Sequence, residues 1–355
     1  MKKFNRLFAL VIAFALVMVF AGCGGASSSA PASSAAPASS AAPASSEGEA
    51  ASSGEAVAAP EKATIIQICG ATSGGTYFLL ANAIAQVLND EAGDWFKASA
   101  QSTAGTPANI RLMEDGDTDF AFGQSGVAQQ AIDGVSPFDK KYTNISSVTY
   151  VYPNVMQIAV RKDSNITAFT DFKGKSFCAG ASGSATEINT KDMYAACGMT
   201  YEDSTIEYTS ETQSAELIKD RKADGANLIA ALGAAAMTDL MSSGDCDIYS
   251  FSDEELDAIC ALNPAYFRYT IPAGTYPNQD YEVNTFAVAN YIFCRTDLDE
   301  DLVYQFTKTI YENVDTLTNT HQIASNITPE SCVDGLTVPL HPGAEKYFKE
   351  IGALQ

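Results

Sequence analysis

From residue 64 to the end of the chain, apolar runs of strand length alternate with segments whose apolar residues recur every three to four positions. Ile65-Ile66-Gln67-Ile68 is the first such run; Tyr77, Leu80, Ala81, Ile84, Val87 and Leu88 then share one helical face. Ala98 to Ser102 reads as a strand and Pro107 to Asp115 as a helix, with Thr106 as its expected cap and Pro107 at the first helical position. Asp119 to Gly123 is a strand that enters Gln124-Ser125-Gly126, and a helix follows from Val127. Ile206 to Thr209, Ala226 to Ala230 and Cys246 to Phe251 are further strands. The helices between them include two opened by capping boxes, Ser210-Glu-Thr-Gln213 and Ser252-Asp-Glu-Glu255. Strands alternating with helices at this spacing predict parallel βα units and an α/β fold.

Two longer apolar stretches interrupt that rhythm. Val148 to Arg161, broken by Pro153, reads as a crossing from one lobe to another, and Thr285 to Arg295 as the return. The expected lobes are 61–152 with 288–355, and 153–287. Two crossings around an inserted lobe are what a hinge requires.

The stretch from Ser176 to Asn189 reads as a strand, a small-residue loop and a helix start. Gly180 and Gly183 let the backbone approach a guest, and Ser184 with Glu187 makes a capping box. A similar stretch precedes it, with Gly70-Ala-Thr-Ser-Gly-Gly-Thr-Tyr77 between a strand and a helix. First-turn amides and the positive end of a helix dipole make such junctions anion sites. A capped helix start would by itself account for either loop; the pairing of two, in two lobes, points to a ligand held between them.

The amino terminus changes the picture of where this happens. Lys2, Lys3 and Arg6 precede an apolar run from Leu7 to Phe20, and Phe20-Ala-Gly-Cys23 resembles a bacterial lipobox. Residues 1–22 are therefore expected to be a lipoprotein signal peptide and Cys23 the lipidated first residue. Residues 23–60 are an Ala-, Ser- and Pro-rich segment that cannot bury a core, a disordered tether with a reach of roughly 35 Å.

The formal charge of −22 becomes −25 once Lys2, Lys3 and Arg6 leave with the signal, so nucleic acid is not an expected partner. Seven cysteines remain beyond Cys23, an odd number with no Cys-x-x-Cys, and His321 and His341 stand apart from any ligand pattern. No metal or cofactor is expected. Nor is an enzyme. Gly174-Lys175-Ser176 has Phe169 where a phosphate loop needs its leading glycine, and Gly180-Ala-Ser182-Gly-Ser184 ends in Ser184 where a nucleophile elbow closes on glycine.

Six segments in order resemble the TAXI family of extracytoplasmic solute receptors, which serve tripartite ATP-independent (TRAP) transporters. They are Gly70 to Tyr77, Thr103 to Leu112, Asp119 to Ala128, Phe172 to Lys175, Gly180 to Glu187 and Pro339 to Tyr347. The resemblance implies a type II periplasmic-binding-protein fold, two α/β lobes around a hinged cleft. It implies ligand contacts from Thr72, Ser73, Gly74, Gly75, Thr76, Tyr77, Gln124, Ser125, Ser182, Gly183, Ser184 and Thr186. The function it implies is capture of a small organic acid or amino acid (glutamate, glutamine or a dicarboxylate) by a monomer on the outer side of the bacterial cell membrane. Delivery would be to the membrane subunits of a TRAP permease. The alternative is an exported binding or adhesion lipoprotein with no transport partner.

Overall fold

The computed structural model describes residues 59–355; the signal, Cys23 and all but the end of the tether lie outside them. The first lobe opens with β1 (Thr64–Cys69), α1 (Thr76–Glu91), β2 (Phe96–Gln101), α2 (Thr106–Asp115), β3 (Phe120–Gln124), α3 (Ser125–Asp133) and β4 (Ser146–Val155). The second lobe holds β5 (Ile158–Arg161), β6 (Ser176–Cys178), α4 (Ala185–Ala196), β7 (Thr205–Glu207), α5 (Glu211–Lys219), β8 (Gly225–Asn227), α6 (Ala235–Ser242) and β9 (Cys246–Ile248). Then come α7 (Asp253–Leu262), β10 (Tyr266–Ile271) and β11 (Val283–Cys294), and the chain finishes with α8 (Glu300–Glu312), α9 (Val314–Thr320) and α10 (Pro342–Glu350).

One sheet runs β10-β11-β3-β1-β2 with β4 also paired to β11, and the other runs β7-β6-β8-β5-β9. Both are built alike. A first strand lies between the second and third, all parallel, and the third pairs with an antiparallel strand that belongs to a crossing, β11 in one lobe and β5 in the other. This is a two-lobed α/β architecture, as the sequence predicts.

Burial explains the helices. Tyr77, Leu80, Ala81, Ile84, Val87 and Leu88 of α1 are all in the first core, joined there by Leu302, Val303, Phe306 and Ile310 of α8. Phe306 stacks on Phe120 of β3, ring centroids 3.8 Å apart. In the second lobe Phe169, fully buried, lies against the rings of Phe172, Phe177, Tyr194, Tyr249 and Phe251. The residue that spoils a phosphate loop is thus the centre of an aromatic core.

The crossing is short. β4 ends at Val155 and β5 begins at Ile158, and the two residues between are pinned: Met156 N donates to Phe286 O at 3.0 Å, and Thr285 Oγ1 donates to Met156 O at 2.6 Å. Gln157, fully buried, donates to Ala230 O at 3.1 Å and accepts from the Tyr276 hydroxyl. Residues 266–271, within the span expected for the second lobe, hydrogen-bond into the first sheet as β10, while Tyr266 and Phe286 pack with Phe251, Leu256 and Ile259. The boundary between the lobes is therefore a shared layer rather than a point in the chain.

Thr106 does not cap α2. The helix opens at Gly105, whose φ of 94° only glycine adopts readily, and the Thr106 hydroxyl instead accepts from Gln124 N at 3.2 Å. Thr106 is already inside the first turn, so its side chain serves the neighbouring strand end. Ser184, Ser210 and Ser252 each accept from the N–H three residues on, as their capping boxes predict.

Candidate functional site

The carboxyl ends of β1, β3, β6, β7 and β8 open on one cleft between the lobes, where ligands of open α/β sheets bind. It contains about 740 Å³ of empty space counted out to its open mouth. Four helices of nine or more residues start on its wall: α1 at Gly75-Thr76-Tyr77, α2 at Gly105-Thr106, α4 at Ser184-Ala185-Thr186 and α5 at Ser210-Glu211. Two come from each lobe. Their first-turn N–H groups have no partner inside the helix, so the cleft has a positive lining made of backbone.

Each glycine loop is packed onto the helix it feeds. A Cβ at Gly70 would lie 2.6 Å from Phe78 Cα, and one at Gly180 2.6 Å from Thr186 Cβ. In the first lobe Asn109, buried on α2, donates both amide hydrogens across the loop, to Gly70 O at 2.7 Å and Phe122 O at 2.8 Å. In the second, Thr190 Oγ1 donates to Ala179 O or Thr186 O and accepts from Asn227 Nδ2 at 3.0 Å. These buried contacts hold the strand ends and the helix starts at fixed separation.

Of the residues expected from sequence, Thr72, Gly75, Thr76, Tyr77, Gln124, Ser184 and Thr186 line the cleft. Ser73, Gly74, Ser182 and Gly183 are exposed and stand off its wall, and Gly183 N is already engaged by the Glu187 carboxylate. Ser125 is buried beneath, off the wall; its carbonyl accepts from Thr337 Oγ1 at 2.7 Å. Arg161 and Arg295 are paired with Asp163 and Asp224, and with Asp119 and Asp297, away from the cleft. His341 caps α10, its Nδ1 accepting from Gly343 N at 3.2 Å.

Part of the wall lies outside the residues that the family resemblance implies. Tyr152 and Asn154 of β4, Thr106, Thr209, Glu211 and Asn227 all line it. Taking the carboxyl end of every predicted strand, and not only the two glycine-rich ones, would have found Thr209 and Ala230.

The polar groups are unevenly satisfied. Gln124 Oε1, Asn154 Oδ1 and Asn227 Oδ1 are buried without a hydrogen-bond partner, on side chains 1%, 5% and 1% exposed. Leaving such a group unpaired costs about 1 to 3 kcal/mol. Tyr77 donates to Asn290 Oδ1 in the floor, and burial pushes the Tyr77 and Tyr152 hydroxyls far above their ordinary range, so both stay protonated. Burial also raises the Glu211 carboxyl to about 7. The seven described cysteines are free, and no group of three or more His, Cys, Asp or Glu among the described residues is placed to hold a metal.

Among solved structures the chain is similar to the Xanthomonas citri protein XAC2383 bound to ATP, at 10% identity over 81% of this chain and 96% of that one, TM-score 0.47. It is similar to the alkanesulfonate-binding protein SsuA of Xanthomonas axonopodis pv. citri bound to MOPS, at 12% identity over 83% and 85%, TM-score 0.43. The periplasmic aliphatic sulphonate binding protein SsuA of Escherichia coli matches at 12% identity over 81% and 83%, TM-score 0.42. A sequence profile matches residues 68–352, nearly the whole of the two lobes. That span carries both glycine loops, both crossings and the cleft between them, and it places the chain in the NMT1-like family.

Proposed function

We propose that this chain is an extracytoplasmic solute receptor that closes on a small organic acid or amino acid and hands it to a membrane transporter. The observation that carries this is the convergence of four helix N-termini from two lobes on one cleft whose amide oxygens lack partners. Helix starts favour a carboxylate, and unpaired buried groups favour an occupied, closed state. Nothing in that wall needs to react. Its hydroxyls belong to Ser184, Ser210 and five threonines besides the two tyrosines, and no histidine stands beside them.

The finer reading follows the sequence. The TAXI-like segments favour a TRAP-type permease as the partner, the lipobox favours a lipid anchor at Cys23, and a monomer with a flexible tether suits docking on a membrane protein. Among the described residues no helix is long and apolar enough to cross a membrane.

The test is a thermal-shift panel of amino acids, dicarboxylates, sulfonates and sugars on protein stripped of retained solute by unfolding and refolding. A ligand at a hundred times its dissociation constant adds about 2.7 kcal/mol to native stability. A clear shift with one acid or amino acid supports the receptor. No shift from any compound, in protein shown to be folded, moves the weight to adhesion.

A further inference from the structure

Among the described residues Glu211 is the one carboxyl on the cleft wall, and no Lys, Arg or His joins it there. It is half-buried at the first position of α5, and no hydrogen bond or ion pair among the described residues reaches its carboxylate. By contrast the Glu187 carboxylate, beside the second glycine loop, is engaged by Gly183 N and Lys191. Across the cleft, Tyr77 of α1 and Tyr152 of β4 are the titratable groups whose charge would couple to Glu211, and both are neutral.

The unpaired amide atoms point the same way. Asn227 spends its Nδ2 on Thr190 Oγ1, whose own hydrogen goes to a backbone carbonyl, so the network orients Asn227 with Oδ1 free. Asn154 Oδ1 and Gln124 Oε1 are likewise unpartnered. Four helix starts offer donors; these groups offer acceptors and a negative charge. A carboxylate alone would satisfy the first set and be repelled by the second.

Resting on the receptor reading, we propose that the solute is a zwitterion whose protonated amine sits against the Glu211 carboxylate and the Asn227 and Asn154 amide oxygens, while its carboxylate faces the helix starts. Simple dicarboxylates and sulfonates, which have no amine, are excluded as the preferred ligand.

Calorimetry on the full chain in detergent tests this with L-glutamate against glutarate, L-alanine against propionate, and putrescine as an amine without a carboxylate. Binding of either amino acid at least tenfold tighter than its des-amino partner, with that margin lost in Glu211→Gln, upholds the proposal. Equal binding of the pair, unchanged by Glu211→Gln, overturns it and leaves the receptor reading standing. Binding of putrescine alone upholds the amine site and overturns the carboxylate part of that reading. Silence from all five overturns both. Should Glu211→Gln fail to fold, the wild-type chain still decides. Its affinity for the amino acid should fall about tenfold from pH 8 to pH 6 as Glu211 takes up a proton, with no such fall for the des-amino acid. Affinity that rises as the pH falls would mean a protonated Glu211 donating to an anion, and would overturn the proposal.

Discussion

The two glycine loops reach the cleft with the same chain design and secure it by different means. In the loop of residues 180–187, Ser184 Oγ accepts from Glu187 N, and the Glu187 carboxylate returns to Gly183 N. That helix start is self-contained. In the loop of residues 70–77 the N-cap is Gly75, with no side-chain cap, and its local support is one turn bond from Gly75 N to Thr72 O at 3.0 Å. The first loop is held instead from outside, by Asn109 on the next helix and by Ser102 and Thr103, which donate to Ala71 O and Gly70 O. A loop stabilised by its own cap has fewer amides left for a guest; one braced by neighbours keeps its amides open. The first loop is therefore expected to carry more of the anion recognition, and the second more of the local rigidity.

The sharpest way to break this comparison is to remove the external brace. Asn109→Ala removes the buried amide donor to both Gly70 O and Phe122 O, and a loss of about 3 kcal/mol in urea denaturation is expected, together with weakened solute binding. Next is occupancy of the wall: Thr76→Leu should weaken binding of the cognate solute at least tenfold by calorimetry. Ser182→Leu, exposed and off the wall, should change it less than twofold. Equal effects from the two would undo the assignment of roles. Removing the internal cap is milder, about 1 kcal/mol for Ser184→Ala by thermal or urea unfolding, because a single N–H of α4 loses its acceptor.

The comparison can also be sharpened through the pH dependence of stability. Burial holds the Glu211 carboxyl at about 7, above its ordinary 4.5, so between these values the folded chain keeps a proton that the unfolded chain has released. Its contribution to stability is complete below about pH 4.5, falls as the pH rises to about 7 and is level beyond. Glu211→Gln should remove that decline, and the difference between mutant and wild-type unfolding free energy should grow across this window.

Much of this arrangement was legible in the sequence because it is local. Capping boxes announced three helix starts by spacing alone, and long apolar runs announced β4 and β11, whose both faces are covered. Glu211 was not legible as a cleft residue. The same Ser210-Glu-Thr-Gln213 that marks the helix start says nothing of which side of its first turn faces the other lobe, and that is decided by packing. β10 escaped notice for a related reason: only Tyr266 and Ile271 at its two ends are buried while Phe267 is 39% exposed, so the strand has no clean alternation. Thr106 illustrates a third case, in which a residue with the chemistry of a cap is claimed by a strand end eighteen positions away in the chain.

The free cysteines have a consequence for how such a chain matures. Cys69, Cys178, Cys246, Cys294 and Cys332 are buried, and burial pushes each thiol above its ordinary value, keeping it in the protonated, slowly oxidised form. Among the described residues the two lobes are thus held by packing and hydrogen bonds, without a disulfide. Export need not be followed by an oxidative folding step, and the native fold would be reached as readily in strictly anaerobic, reducing surroundings as in aerated ones.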